Sequence, residues 1–300
     1  MSQNIPVNKR LRIRSGTHVS IGERIAKGGW SDVFRIRNYP SLVIKRTRIL
    51  DADPDKARAR LMYAHREVDA LKAVGPHSHI ISMCRRAAIH GSNFDLIFPR
   101  YDCSLHAYAR PSGVKGGMGE ALGIMCQILS ALEACHSVHV VHRDVKPDNI
   151  LVDRASGRAV LADFGLAKKI EPWGAGCRLH TQEVVTRGYR APEFVLSSRP
   201  VAYAGEIDIF ALGCVLPEIV SGRPLFTLQG PLAQRDTEYR RELVGFYEFM
   251  RDSRDYIHPG NKTLPLTPEI ADAWYPMMDL DPKKRPAAKV MREALLSHIL

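Results

Sequence analysis

The sequence lacks paired cysteines, a secretion signal and an uninterrupted membrane-length apolar run. Its six cysteines are scattered without a C-x-x-C pair, which argues against the common zinc signatures and favours reduced intracellular thiols. The first residues, MSQNIPVNKRLRIR, contain no apolar core, so we expect no secretion. The most apolar stretch, 121–141, is broken by polar residues and has helical spacing, which predicts a buried amphipathic helix. We therefore expect an intracellular protein, in the cytoplasm, the nucleus or both, with no membrane partner.

Acidic side chains are scarce in the first third of the chain. Lys and Arg number 43 against 32 Asp and Glu, a net charge of +11. Residues 1–100 carry 19 basic and 8 acidic side chains, whereas residues 101–300 carry 24 of each. A basic region is typical of polyanion-binding proteins and equally of an ordinary solvated surface. Because no nucleic-acid-binding motif accompanies the charge, nucleic acid is not the partner that we predict.

Internal repeats and low-complexity linkers are also absent, and the chain divides by its hydrophobic pattern. Short alternating runs with glycine and proline between residues 18 and 48 predict strands. Residues 54–74 predict a helix, and residues 80–98 return to strand-like runs. Long helical patterns follow Pro99. We therefore predict a basic tail over 1–17 and an α+β domain over 18–298, with a β-rich part at 18–98, a hinge at 99–101 and a helical part at 102–298.

A cluster of small residues lies between two of the predicted strands, from Ala26 through Lys27 and Gly28 to Val33. Small residues let a backbone approach a phosphate closely, and exposed N–H groups there bind anions. A glycine pair between strands is usually a plain hairpin turn. The cluster alone does not decide between these interpretations.

Lys45 ends an apolar strand, and Glu67 lies on the helix that follows it. Taken singly, each is typical of a solvated surface position. If the two side chains pair, the lysine could hold the phosphates of a nucleotide.

The strongest chemical signal is the segment 141–151 together with Asp163, Phe164 and Gly165. Asp144 is a candidate base, and Lys146 can neutralise a phosphate during its transfer. Asn149 and Asp163 offer the oxygen ligands that Mg²⁺ prefers. These are the parts that phosphoryl transfer requires, and their order argues against two unrelated acidic turns.

This ordered set of motifs resembles the eukaryotic-type serine/threonine protein kinases over residues 18–298. The resemblance rests on the glycine-rich loop 26–33, Lys45 with Glu67, the His-Arg-Asp triplet 142–144, the Asp-Phe-Gly triplet 163–165 and the Ala-Pro-Glu triplet 191–193. It implies a two-lobed fold that binds ATP and Mg²⁺ near the hinge and phosphorylates proteins. It further implies Asp144 and Lys146 as catalytic residues and Asn149 and Asp163 as metal ligands. The residues implied to bind ATP are Ala26, Lys27, Gly28, Val33, Lys45, Glu67, Tyr101 and Leu151.

The chain departs from the family pattern at Ala26 and Ser31, where glycines are usual, and at Val43, where alanine is usual. None of these changes removes a catalytic group, so we expect a working enzyme. The alternative is a kinase-like scaffold that binds ATP without transferring phosphate. Lys146 after His-Arg-Asp-Val favours serine or threonine as the acceptor.

Within the family, the run 181–193 and the Arg66-Glu67 pair resemble the cyclin-dependent kinase group. This implies proline-directed phosphorylation, a phosphoprotein switched at Thr181, and an activating protein partner on the helix that carries Glu67. The cations implied to bind the Thr181 phosphate are Arg66, Arg143 and Lys168. The run 186–190 also resembles the replication-initiating cell-cycle kinases, which remain the alternative branch.

Overall fold

The computed structural model describes residues 10–12, 18–90, 92–170, 186–197, 201–226, 235–252, 257–258, 262–263 and 266–299. The chain divides into two compact units. The first contains Met1–His77 and Ile81–Tyr101, and the second contains Ser78–Ile80 and Asp102–Leu300.

The first unit is built on a six-stranded antiparallel sheet with strand order β1-β2-β3-β4-β6-β5. Its strands are β1 Arg10–Arg12, β2 His18–Lys27, β3 Ser31–Ile36, β4 Leu42–Arg48, β5 Arg85–His90 and β6 Asn93–Pro99. The alternating side chains of the sheet form an apolar cluster of Val19, Ile21, Phe34, Ile36, Ile44 and Ile97. Burying one face of each strand fixes the strand register, since a slip of one residue would expose this set.

The helix of the first unit, α1, spans Pro54–Val74 and has the predicted bounds. The Asp53 side chain accepts hydrogen bonds from the backbone N–H groups of Asp55 and Lys56, and a proline occupies the first turn, where its missing donor costs nothing. The helix ends at Gly75, whose φ of 76° suits glycine. Glu67 lies on the buried face of α1, so the helix directs a carboxylate into the unit.

The second unit is mainly helical, which confirms the predicted α+β class. Its helices are α2 Leu105–Ala109, α3 Gly117–Ser137, α4 Pro192–Leu196, α5 Glu206–Ser221, α6 Arg235–Asp252, α7 Pro268–Trp274 and α8 Ala288–Leu296. Its short strands are β7 Cys103–Ser104, β8 Val140–Val141, β9 Ile150–Asp153, β10 Arg158–Leu161, β11 Lys168–Lys169, β12 Ile257–His258 and β13 Lys262–Thr263. They pair as β10-β9-β7, β11-β8 and β12-β13.

The apolar helix α3 is a core element, as its spacing predicts. Its length and mean hydropathy of 1.2 would also suit a membrane span, but 56% of that window is buried inside the protein. Leu122, Met125, Leu129 and Leu132 are at most 1% exposed. The helix packs against α8, α5 and β10, so the second unit itself covers its apolar face.

Candidate active site

Asp144 is the centre of a hydrogen-bonded cluster in the second unit. Its Oδ2 accepts hydrogen bonds from Lys146 Nζ and Asn149 Nδ2, both at 2.8 Å. Its Oδ1 accepts one from the Thr186 hydroxyl at 2.6 Å, and Lys146 Nζ donates to that same hydroxyl at 2.7 Å. An alcohol therefore lies between a carboxylate that can take its proton and an ammonium that can stabilise negative charge.

The backbone of this catalytic loop is held by Asp208 on α5. The Asp208 carboxylate accepts the backbone N–H groups of His142 and Arg143, both at 2.8 Å, and a hydrogen bond from His136 Nε2 at 3.0 Å. Arg143 has a φ of 68°, which is unfavourable for a side chain with a Cβ and persists only where its surroundings enforce it. The loop that carries Asp144 is thus fixed to a buried helix.

Asp208 remains a carboxylate although it is fully buried. Burial by itself would raise its pKa, but the His136 hydrogen bond, the His136 and His142 charges and the His142 backbone N–H outweigh it and lower the pKa below the usual range. The ionised group can therefore accept several hydrogen bonds from the loop at neutral pH.

The two candidate metal ligands lie next to each other in the second unit. The backbone N–H of Ala162, which precedes Asp163, donates to the Asn149 carbonyl at 2.8 Å. Since Asn149 Nδ2 is bonded to Asp144, the amide oxygen is the atom of Asn149 that would bind a cation. Among the described residues, no three His, Cys, Asp or Glu side chains form a metal cluster. Two oxygen ligands fit Mg²⁺, which keeps several waters and binds substrate phosphates.

Asp163 takes its position from the residue that follows it. Phe164 is fully buried, and its ring packs edge-on against His142 with the ring centroids 4.7 Å apart. Asp163 adopts the left-handed conformation, with φ 63° and ψ 68°. Phe164 therefore holds the strained turn in place beside the catalytic loop.

In the first unit, Lys45 and Glu67 form a buried ion pair. Lys45 Nζ donates to both carboxylate oxygens of Glu67, at 2.8 and 2.7 Å. Lys45 is 8% exposed and Glu67 is 1% exposed. Neither residue is the solvated surface group that its type alone would suggest. The pair joins β4 to α1 and fixes the position of the lysine.

The loop between β2 and β3 is a tight hairpin. The Gly28 N–H donates to the Ser31 carbonyl at 2.8 Å, which leaves Gly29 and Trp30 at the tip. A Cβ on Gly28 would lie 2.7 Å from that carbonyl oxygen, so this turn requires glycine. Ala26 pairs with Val33 and Lys27 pairs with Asp32 in the flanking strands, and Val33 pairs with Lys45 across β3 and β4. The hairpin therefore leads directly into β3, the strand that lies beside Lys45.

A comparison with protein families matches residues 19–297 to the protein kinase domain. The chain belongs to the protein kinase family. Mitogen-activated protein kinase 15 of Rattus norvegicus is 36% identical over 220 residues, which cover 70% of this chain and 39% of the relative. Cyclin-dependent kinase 20 of Rattus norvegicus is 30% identical over 217 residues, which cover 70% of this chain and 59% of the relative. The predicted family resemblance is confirmed, and the chain matches about two to three fifths of the length of these relatives.

The segment that closes the activation loop of this kinase domain is anchored by a second buried pair. Arg285 donates to both Glu193 oxygens at 2.9 and 2.7 Å, and also to the backbone carbonyls of Asp279 and Glu206. This pairing holds the glutamate of the Ala-Pro-Glu triplet 191–193 in place. Tyr189 donates to Glu218 at 2.5 Å, and burial with the Glu218 charge raises its pKa. Both contacts tie the segment after Thr186 to other parts of the second unit, because Tyr189 bonds Glu218 of α5 and Glu193 bonds Arg285.

The other predicted site residues of the kinase domain lie in both units. Tyr101 ends the first unit and is partly buried, and Leu151 lies in β9 opposite Ser104 and Val160. Arg66 lies on α1.

Of the predicted phosphate-binding cations, Arg143 and Lys168 both lie in the second unit. Arg143 is 4% exposed and donates to the Leu166 carbonyl at 2.7 Å and to the Tyr203 hydroxyl at 3.1 Å. Lys168 pairs with Val141 in β11 and β8. Thr181 lies outside the described residues, so its contact with these cations stays a prediction.

Sequence reasoning assigned no role to Thr186, whose hydroxyl contacts both predicted catalytic residues, Asp144 and Lys146. The sequence does contain a signal for Thr186, because this residue begins the run 186–190, which resembles known kinases. Sequence reasoning also missed the contact of Trp30, although this residue lies within the glycine-rich loop 26–33, and the contact of Arg46, which belongs to no motif.

Proposed function

We propose that this chain transfers the γ-phosphate of ATP to serine or threonine hydroxyls of proteins. The observation that carries the proposal is the Thr186 hydroxyl, which bonds both Asp144 and Lys146. This geometry accommodates an aliphatic alcohol of the kind that the reaction uses as its acceptor. The family match and the two kinase relatives support the same conclusion.

In the proposed reaction, Asp144 orients the acceptor hydroxyl and takes its proton. The acceptor oxygen forms a bond to the γ-phosphorus, the bond to the bridging oxygen breaks, and ADP leaves with that electron pair. Lys146 stabilises the negative charge that develops, and Lys45, held by Glu67, positions the phosphates of ATP. Asn149 and Asp163 would hold Mg²⁺, which when bound neutralises phosphate oxygens.

The test compares wild type with Asp144→Asn in transfer of labelled phosphate from ATP to a generic acceptor protein. Removing a general base lowers turnover by about 10²- to 10⁴-fold. Asp148→Asn is the matched control, because Asp148 is exposed four residues further along the same segment, and we expect it to keep wild-type turnover. A wild-type protein that binds ATP but transfers no phosphate would instead be the scaffold alternative.

We also propose that a phosphate on Thr181 raises this activity. Arg143 belongs to the loop that carries Asp144, and Lys168 pairs with Val141 just before that loop. A phosphate adds about −1.5 to −2 charges, which such cations stabilise. Phosphatase treatment of the activated wild type should lower turnover to the level of Thr181→Ala, and should leave Thr181→Ala unchanged. Equal turnover of the activated wild type and Thr181→Ala would exclude the switch.

Proline after the acceptor is the substrate preference that we propose, from the resemblance at Val185 and Arg190. Arg190 is held in the second unit by its carbonyl, which accepts a hydrogen bond from Tyr239 at 2.6 Å. Val185 lies outside the described residues. A peptide library should show enrichment of proline directly after the acceptor. A library with no enrichment of proline at that position would reject this preference.

An activating protein partner on α1 is a further part of the proposal. One relative is named a cyclin-dependent kinase, and in this chain Met62 on α1 is 46% exposed while Leu50, just before the helix, is 62% exposed. Removing such apolar side chains from water against a protein partner is favourable. A Met62→Asp variant should keep its basal turnover but lose stimulation by an added cyclin-class protein. Equal stimulation of both would place the contact elsewhere or exclude it.

A further inference from the structure

Trp30, at the tip of the β2–β3 hairpin, stacks on a residue of α1. Its ring is nearly parallel to that of Tyr63, with an interplanar angle of 12° and centroids 5.4 Å apart. Tyr63 is 5% exposed, whereas Trp30 is 42% exposed. The indole therefore covers the tyrosine and keeps its own outer face in solvent. We call Trp30 and Tyr63 the aromatic latch.

The aromatic latch also contacts the Lys45–Glu67 pair, through the ring of Tyr63. Lys45 Nζ lies 5.3 Å from the centroid of the Tyr63 ring, within the range of a cation–π interaction. Tyr63 and Glu67 are four residues apart on α1 and so share one face of the helix. One lysine thus contacts a ring and a carboxylate that the same helix presents.

Trp30 can hold the hairpin tip against α1, whereas the two glycines before it cannot. Gly28 and Gly29 have no side chains, and a Cβ on Gly29 would meet nothing within 4 Å. Trp30 is the side chain through which the two-residue tip contacts α1. The stack therefore connects the hairpin, the helix and the lysine within the first unit.

We propose that the aromatic latch orders the hairpin and Lys45 for nucleotide binding, with Trp30 as a positioning residue that acts through Tyr63. This inference rests on the proposed function. A loop that is ordered before binding loses less conformational freedom when the ligand arrives. An aromatic pair of this kind contributes an equilibrium factor of about 2- to 10-fold, and we expect that contribution in the affinity for ATP.

The test is a double-substitution cycle with Trp30→Ala, Tyr63→Leu and the double variant. Each single variant should raise the KM for ATP and the Kd for ADP with Mg²⁺ by about 2- to 10-fold, while kcat stays close to wild type. The double variant should bind ATP and ADP no more weakly than the single variant of lower affinity, because both substitutions remove the same stacking contact. Trp30→Phe should restore most of the affinity, since it keeps an aromatic ring.

The matched control is Tyr39→Ala, which removes an aromatic residue of 38% exposure from the turn between β3 and β4. It should leave both the KM for ATP and the Kd for ADP unchanged. An unchanged or lower KM in Trp30→Ala would overturn the proposal, and so would additive single effects or failure of Trp30→Phe. A wild-type chain that binds ADP but transfers no phosphate would contradict only the proposed function, because the Kd cycle still decides the role of the latch.

Discussion

Two neighbouring residues of β4 form buried ion pairs of nearly identical geometry, but the partner of one lies on a helix and the partner of the other lies on a strand. Lys45 bonds both oxygens of Glu67 at 2.8 and 2.7 Å, and Arg46 bonds both oxygens of Asp95 at 2.8 and 2.7 Å. The side chains of Lys45 and Glu67 are 10% and 2% exposed, and those of Arg46 and Asp95 are 7% and 0% exposed. Distance and burial therefore do not distinguish the pair proposed to position the phosphates of ATP from its neighbour.

The two pairs differ in how their partners are positioned. Asp95 lies directly opposite Arg46 in the β4–β6 register, so pairing of the sheet is enough to bring them together. The Arg46 guanidinium also lies 5.8 Å from the centroid of the Phe34 ring. Glu67 instead lies on α1, so the Lys45 pair depends on where the helix packs. A pair that joins a helix to the sheet can respond to movement of the helix, whereas a pair between two hydrogen-bonded strands is fixed by their register.

The largest expected effect comes from replacing the Lys45–Glu67 pair completely with apolar residues. Lys45→Met with Glu67→Leu should reduce phosphate transfer by about 10²- to 10³-fold, because the group that positions the phosphates is gone. Apolar replacement of a buried ion pair is often neutral or stabilising, so the free energy of unfolding should not fall. Labelled-phosphate assays and urea unfolding measure the two quantities.

The matched control is Arg46→Met with Asp95→Leu, which should keep both turnover and the free energy of unfolding. An equal loss of turnover in this control would show that the two pairs are not functionally distinct.

Removing one partner of the structural pair should destabilise the protein. Asp95→Leu leaves the Arg46 guanidinium buried without its carboxylate, a change that costs about 3–5 kcal/mol. Turnover per folded molecule should remain at the wild-type value. Unfolding by urea with activity normalised to folded protein tests both expectations.

The comparison for this variant is Glu23→Ala, which removes an exposed ion pair. Arg35 Nε and Glu23 Oε1 are 2.8 Å apart, yet their side chains are 44% and 68% exposed. Such pairs contribute about 0–1 kcal/mol. A cost for Glu23→Ala equal to that of Asp95→Leu would contradict the role given to burial.

The elements of the first unit could be predicted where local chemistry decides them. The helix 54–74 has its predicted bounds because Asp53, Pro54 and Gly75 mark its ends in sequence. The strand that ends at Lys45 in the sequence pattern continues to Arg48, since pairing with β6 covers polar residues that otherwise resemble the end of a strand. Local patterns do not contain that long-range contact.

The candidate site shows the same limit. Asp144, Lys146, Asn149 and Asp163 could be found because their spacing follows a family motif. The Arg46–Asp95 pair could not, because it depends on a register between residues 49 positions apart. The Trp30–Tyr63 stack likewise depends on how a hairpin tip meets a helix.

Asp208, a buried carboxylate of the second unit, extends the comparison of buried charged groups to the pH dependence of stability. Asp208 lacks the bidentate arginine of Asp95 and is held by His136 and backbone N–H groups. Burial opposes its ionisation, but these partners prevail and lower its pKa in the folded state. Its contribution to stability is therefore present above the unfolded pKa of about 3.9 and is lost as the pH falls through the folded pKa.

Below about pH 4, stability should therefore fall less steeply in Asp208→Asn than in the wild type. One titrating group contributes at most about 1.4 kcal/mol per pH unit. Urea unfolding of both proteins between about pH 2 and pH 6 measures this difference in slope. Parallel curves would show that the folded state does not favour the ionised form of Asp208.

The smallest effect is expected from a substitution at the start of α1. This substitution tests whether the Lys45–Glu67 pair depends on the helix while the Arg46–Asp95 pair does not. Asp53→Ala removes the side chain that accepts the Asp55 and Lys56 N–H groups, which costs about 1 kcal/mol, whereas Asp53→Ser keeps a capping oxygen and should retain most of that stability. Because Glu67 lies on this helix, hydrogen exchange should quicken along α1 in Asp53→Ala, while the β4–β6 amides beside Asp95 keep the wild-type rate relative to global unfolding. If exchange in α1 and in the sheet changed equally, the Lys45–Glu67 pair would be as rigidly placed as its neighbour, and the distinction between a helix-dependent and a register-dependent ion pair would be wrong.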